Sequence, residues 1–256
     1  MDFSDKIIII TGASSGIGAA VAVHLAKLGG QIIIVGRNVE KLQETAAKIQ
    51  DVRGKVPLIF QTDMTNDQDV KRIVNETIKK YGKINVLINN AGILETGTIE
   101  NTSLEQYDRI MNINVRSVYH LTMLTVPHLI ATKGNIVNVS SVNGIRSFPG
   151  VLSYNISKAA IDQFTRCVAL ELALKGVRCN SVNPGVIITE IHKRGGMNDE
   201  TYTKFLEHCR TTHALGRVGQ VEEVANTIAF LASDQASFIT GVNLPVDGGR
   251  HAMCPR

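Results

Sequence analysis

The amino-acid sequence predicts an α/β fold: a single domain in three layers, with a doubly wound, mostly parallel sheet of seven strands covered by helices on both faces. Seven short apolar runs recur along the 256 residues, and helical stretches separate them in alternation. No linker, repeat or low-complexity segment interrupts the series, so 1–256 reads as one unit with room for a sizeable core.

The first run, Lys6–Thr11, is β-branched and unbroken, which suits a strand buried on both faces. TGASSGIG follows at 11–18, and AAVAVHLAKLGG then reads as a helix ended by Gly29–Gly30. Strand Gln31–Val35 leads to helix Glu40–Gln50, Val56–Gln61 to Asp67–Tyr81, and Ile84–Asn89 to one long helical stretch, Leu104–Ile130. Asn135–Ser140, helix Ser153–Lys175, Val177–Val182, helix Val221–Ser233 and Val242–Val246 complete the series. The stretch Ile188–Gln220 has no strand and follows a strand's carboxyl end, where open α/β sheets bind ligands. It is expected to form substrate-binding loop and helices, the plainer alternative being a pair of surface helices.

Composition excludes several classes. A net charge of +4 without a basic tract is a mild surface property, and no nucleic-acid partner is expected. No apolar run approaches the roughly 20 residues of a membrane span, and the opening MDFSDK lacks a signal-peptide layout. The expectation is a soluble, cytoplasmic protein. Cys167, Cys179, Cys209 and Cys254 are scattered, with no CxxC pair or His/Cys cluster, so free thiols and no metal site are expected.

The glycine-rich loop joins a strand to a helix N-terminus, where unpaired N–H groups and the dipole attract an anion. Gly12, Gly16 and Gly18 let a phosphate approach closely, and Ser14 and Ser15 add hydroxyl donors. A plain tight turn is the alternative. In dinucleotide folds the tip of the second strand reads the adenosine ribose. Here that tip runs into Gly36–Arg37–Asn38: it lacks a carboxylate for a 2′-hydroxyl, and Arg37 offers a fork suited to a 2′-phosphate. NADP(H) is therefore expected over NAD(H), unless Arg37 is merely a solvated residue heading the next helix.

The spacing G-x-x-x-G-x-G in TGASSGIG, with NNAG at Asn89–Gly92 and YNISK at Tyr154–Lys158, resembles the short-chain dehydrogenase/reductase family in its single-domain, Rossmann-type form. The resemblance runs from the first strand to PVDGG at Pro245–Gly249. It implies that Tyr154 protonates a carbonyl oxygen as hydride arrives and acts as base in reverse. Lys158, four residues on and on the same helical face, would hold the nicotinamide ribose. A nearby ammonium should also bring a phenol of pKa near 10 into working range. Ser141 would hydrogen-bond the substrate oxygen, with Ser140 a close rival, and Asn114 would complete the set by holding a water in a proton relay. The resemblance places Gly12, Ser14, Ser15, Gly16, Ile17, Gly18 and Arg37 on the cofactor's phosphates, and Asp63 and Met64 at adenine. Asn90, Ala91 and Gly92 would border the ribose, and Pro184, Gly185, Ile187 and Thr189 the nicotinamide.

The substrate pocket is expected from Leu94, Glu95, Thr96, Val142, Asn143, Phe148, Val151, Val186 and parts of His192–Phe205, a largely apolar set suited to a medium-sized carbonyl compound. His192, His208 and His213 lie where they could touch it, whereas His24 reads as a core or surface residue. HALGRVGQVEEVAN at His213–Asn226 resembles the 3-oxoacyl-acyl-carrier-protein reductases, which dock an acidic carrier protein on basic residues. The corresponding positions hold Thr132, beside Lys133, and Lys175; they keep part of the charge without arginine's geometry. Three readings follow: an NADPH-dependent reductase of a ketone or aldehyde of small-molecule, steroid or terpenoid type, a 3-oxoacyl thioester reductase, and a non-catalytic NADP(H)-sensing scaffold. The helices around Leu104–Ile130 and Ser153–Lys175 match those the family pairs between subunits, so a homo-oligomer, a tetramer of two-fold interfaces, is expected. The final HAMCPR reads either as a loose tail or as a subunit contact.

Overall fold

In the computed structural model, which describes residues 1–254, the seven runs pair into one sheet in the order β3-β2-β1-β4-β5-β6-β7, with every pairing parallel. The strands are β1 (Ile7–Thr11), β2 (Gln31–Gly36), β3 (Leu58–Gln61), β4 (Val86–Asn89), β5 (Asn135–Val139), β6 (Arg178–Pro184) and β7 (Asn243–Val246). All seven run parallel because a helix connects each to the next, returning the chain to the same edge.

The helices are α1 (Gly16–Lys27), α2 (Val39–Arg53), α3 (Asp67–Tyr81), α4 (Leu104–Met111), α5 (Ser117–Thr132), α6 (Val142–Ile145), α7 (Leu152–Leu172), α8 (Ile191–Arg194), α9 (Asp199–Thr212) and α10 (Val221–Ala232). The two-residue period of a strand sorts the core into two layers. Ile8, Ile10, Ile32 and Ile34 face Val21, Leu25, Leu42 and Ile228 of α1, α2 and α10. Ile7, Ile9, Ile33 and Val35 face Val70, Ile73, Leu121 and Leu172 of α3, α5 and α7.

The expected helix over Leu104–Ile130 is broken. α4 stops at Met111, a π-helical turn spans Asn112–Arg116, and α5 resumes at Ser117. Such turns insert a residue into an α-helix and commonly mark functional sites; this one carries Asn114. Ile188–Gln220 contains α8 and α9. Strand order reverses about β1, whose neighbours are β2 and β4, so a crevice opens beyond the carboxyl ends of β1 and β4. Among the described residues no helix is long and apolar enough to cross a membrane.

Candidate active site

The crevice is built around the loop after β1. Gly12 has φ +65°, a left-handed conformation natural to glycine. A side chain at Gly18 would overlap the Gly12 carbonyl and the Asn90 amide, so Gly18 packs beneath the loop. Asn90 Nδ2 donates to the carbonyls of Thr11 and Gly12 at 2.9 and 3.2 Å, and the Thr11 hydroxyl accepts from the amides of Asn90 and Ala91. The end of β4 thus braces the loop at the end of β1.

A cleft of about 390 Å³ lies over this loop. Gly12, Ser14, Ser15, Gly16 and Ile17 line one end with Asn90, Ala91 and Gly92; Arg37, Lys41, Asp63 and Met64 line the other. Loop and helix N-terminus suit the phosphates of a dinucleotide. At the second-strand tip a Cβ on Gly36 would crowd Ser14 and Leu42 at 3.3 Å, so the backbone itself forms that wall. Asp63 accepts from the Thr65 amide and hydroxyl at 3.0 and 2.9 Å; the amide first, and Arg37 less, holds its carboxyl below the usual range. Arg194, which sequence reasoning missed, reaches from α8 to Ser15 Oγ at 3.0 Å and closes the loop's open side.

A second cavity of about 460 Å³ adjoins the first and shares Ile17, Asn90, Gly92 and Thr189 with it. Pro184, Gly185 and Ile187 line it at the junction, and Ser141, Tyr154 and Lys158 form its inner wall. Ser141 caps α6, its hydroxyl accepting from the Asn143 amide at 3.2 Å. Both hydroxyls donate within the chain, Ser140 to the Lys158 carbonyl and Ser141 to Asn143 Oδ1, each at 3.1 Å, and Ser141 is the one that acts on the Tyr154 phenol. Tyr154 and Lys158 are 7% and 6% exposed, and Lys158 Nζ donates to the Val139 carbonyl at 2.9 Å. Asn114 is tied up as a brace: Oδ1 accepts from the Ile93 amide, and Nδ2 donates to the Ile93 carbonyl and Ser157 Oγ. Its amide keeps no free N–H to hold a water.

The electrostatics depart from expectation. Burial pushes the Tyr154 phenol up to about 12, only partly offset by the Ser141 hydroxyl, and pushes Lys158 down to about 8, partly offset by the Asp162 carboxylate. The ammonium does not bring the phenol into the neutral range, because desolvation of both groups dominates. A buried phenol that keeps its proton at neutral pH can donate it to an oxygen held by Ser141.

Leu94, Thr96, Val142, Asn143, Phe148, Val151, Val186, His192, Met197 and Phe205 line the second cavity as expected. Glu95 does not: Arg109 takes both its oxygens at 2.7 Å. His192 packs 4.7 Å from Phe205, ring to ring, and burial lowers it to about 4. His213 is buried and positions the Val186 amide, and His208 is exposed. Arg250, also missed, lines the cavity. The tail is not loose where described: Arg146 donates to the carbonyls of Arg250, His251 and Met253. The last two residues of HAMCPR lie outside the described residues.

The sequence profile of the family described as enoyl-(acyl carrier protein) reductase matches residues 12–251. The meso-2,3-butanediol dehydrogenase of Serratia marcescens is 37% identical over 98% of this chain and 97% of its own. A short-chain dehydrogenase/reductase of unknown function from Caenorhabditis elegans, solved with cofactor, superposes with TM-score 0.92 at 39% identity, covering 98% of this chain and 97% of that one. The 3-ketoacyl-(acyl-carrier-protein) reductase of Brucella melitensis, complexed with NADH, gives 0.87 at 34%, covering 97% and 99%.

Proposed function

The chain belongs to the short-chain dehydrogenase/reductase family of oxidoreductases, and on that premise we propose that it is an NADP(H)-dependent reductase of a small-molecule ketone or aldehyde. One observation carries the reading: the buried Ser141–Tyr154–Lys158 wall opens into a cavity that is continuous, through Asn90, Gly92 and Thr189, with the glycine-loop cleft.

When bound along the glycine-loop cleft, the dinucleotide would supply a hydride, a proton with two electrons, for the carbonyl carbon. Tyr154 gives its phenolic proton to the carbonyl oxygen as the C=O π bond becomes C–H and C–O–H. Ser141 holds that oxygen by hydrogen bond, and the charge on Lys158 supports the phenolate left behind. Ser141 and Tyr154 both line the cavity, which supports a carbonyl bound there within reach of both.

For the phosphate, Arg37 and Lys41 line the end expected to hold adenosine, no carboxylate among the described residues stands at the Gly36 tip, and Asp63 is engaged by Thr65. This supports NADP(H) over NAD(H). Self-association through α5 and α7 is supported by exposed Tyr119 and Met123 on the one and Ile156 and Leu170 on the other. Free cysteines fit a cytoplasmic setting.

The alternative reading, a 3-oxoacyl thioester reductase, keeps the same chemistry. Thr132, with its hydroxyl on the Ile84 carbonyl, and Lys133, packed on Gly176, sit at the amino edge of the sheet, away from this chain's cavity. That placement favours free carbonyl compounds over carrier-bound ones. A sensing scaffold has no use for a buried, proton-bearing Tyr154. Tyr154→Phe tests the reading: turnover should fall by about 10²–10⁴ while the dinucleotide still binds.

A further inference from the structure

Among the described residues two cations, Lys158 and Arg250, stand in the wall of the 460 Å³ cavity, and no Asp or Glu does. Lys158 is engaged with the Val139 carbonyl. The guanidinium of Arg250 donates no hydrogen bond and forms no ion pair among the described residues, and its Nε is fully buried without a partner. Its Cζ lies 4.5 Å from the centre of the Phe148 ring, which fixes one face and leaves the N–H edge available.

The position of Arg250 is built rather than incidental. Asp247 accepts from the amides of Gly249 and His251 at 3.0 and 2.6 Å and from His251 Nδ1 at 2.9 Å. Those contacts shape the turn Arg250–Ala252 and use the hydrogen-bonding capacity of Asp247, whose charge acts on Arg250 without a direct ion pair. Arg146 fastens the same turn through three carbonyls. Arg146 directly follows α6, whose cap is Ser141, so the turn is tied to the loop that holds the reacting oxygen. His192, neutral at its lowered pKa, adds no second charge.

Arg250 is half-buried, and a guanidinium whose buried Nε has no partner is costly and calls for an acceptor in the working complex. Its rigid fork matches the two oxygens of a carboxylate. Val142, Val151, Val186 and Phe205 leave an apolar passage for the carbon chain. Resting on the reading of this cavity as the substrate site, we propose that Arg250 recognises a substrate carboxylate, so that the compound reduced at Tyr154 is an oxo acid.

The test compares kcat/KM for oxo acids of increasing ketone-to-carboxylate distance with their methyl esters, in the wild type, Arg250→Met and Arg250→Lys. Calorimetric binding of the same acids to the dinucleotide-loaded enzyme runs alongside. At the chain length that spans the cavity, the acid should exceed its ester by roughly 10- to 100-fold. Arg250→Met should abolish that ratio, mainly through KM, and weaken acid binding by a similar factor; Arg250→Lys should keep part of both. Esters equal to or better than acids at every length, or a preference that survives in Arg250→Met, overturns the proposal. Should Arg250→Met fail to fold, the wild-type ratio and Arg250→Lys decide by the same criteria. Turnover of neutral ketones without acid preference defeats the oxo-acid assignment alone. Absence of turnover with every carbonyl defeats the reductase reading, and acid binding lost in Arg250→Met would still support a carboxylate site.

Discussion

Asn183 Nδ2 lies 3.0 and 2.9 Å from the two oxygens of Asp162 and 2.8 Å from the Ser141 carbonyl. One amide thus joins β6, α7 and the loop after β5. Asp162 is four residues beyond Lys158 and eight beyond Tyr154, so all three occupy one face of α7. Its burial raises its pKa, opposed by the nearby Ser140 hydroxyl, by the hydrogen bonds of Asn183 and by the Lys158 charge. The carboxylate is the back support of the wall that Ser141 and Tyr154 present to the cavity.

Asp162→Ala should therefore destabilise the protein by about 1–3 kcal/mol, the cost of stranding a buried donor. It should lower kcat more than it raises the dinucleotide Kd. Urea unfolding and cofactor titration measure the two effects separately; a fall in stability with kcat unchanged would reduce Asp162 to packing.

The pH profile follows from Lys158. At pH below about 8 it carries its charge, and the phenol, at about 12, carries its proton. As pH rises through 8 the ammonium is lost, the phenolate produced by proton donation loses its support, and carbonyl reduction should decline. Alcohol oxidation, which needs Tyr154 as proton acceptor, should instead gain as the phenol is titrated. Because the Asp162 charge holds Lys158 up, Asp162→Asn should move the decline in reduction to lower pH. Initial rates of carbonyl reduction across pH 6–10, with saturating dinucleotide, read the decline through the Lys158 titration, whereas the rise in alcohol oxidation should continue beyond that range.

Much of this was legible in the sequence, for physical reasons that can be named. Ile7–Ile10 and Ile32–Val35 are buried on both faces, and an unbroken β-branched run is the mark of that environment. Tyr154 and Lys158 lie within one helix, so spacing alone aligned them. The residues missed are brought in by contacts far along the chain. Arg194 meets Ser15 across 179 positions, and Arg250 is seated by an Arg146 bond to Met253 across 107. The break at Asn112–Arg116 was hidden because a single π-helical turn within a continuous helical stretch is rare and carries no Gly or Pro here to mark it. Glu95 was placed in the pocket because no local pattern reveals its pairing with Arg109.

Arg37 should discriminate between dinucleotides. Arg37→Ala should lower kcat/KM for NADPH by roughly 10- to 100-fold, the worth of charge-assisted hydrogen bonds to a phosphate, with little change for NADH. The ratio of the two cofactors in the variant and wild type is the measurement. An unchanged ratio would leave Arg37 a solvated surface residue.

Arg194 should act on both dinucleotides alike, because it meets the loop at Ser15 rather than the ribose end. Arg194→Ala is expected to weaken NADPH and NADH binding by about tenfold each, the value of one charge-assisted contact. Stopped-flow dissociation should show the loss in the off-rate. An effect on NADPH alone would place Arg194 at the 2′-phosphate instead.

The most direct test follows oxidation of NADPH, with NADH in parallel, against ketones, aldehydes, quinones, steroids, oxo acids and acetoacetyl thioesters, with wild type and Tyr154→Phe side by side. NADPH-preferring turnover of a free carbonyl compound is expected, with one alcohol formed per NADPH consumed and loss of that turnover in Tyr154→Phe while the dinucleotide still binds. A protein that binds NADPH yet reduces none of these, or a Tyr154→Phe variant as active as the wild type, would contradict that expectation.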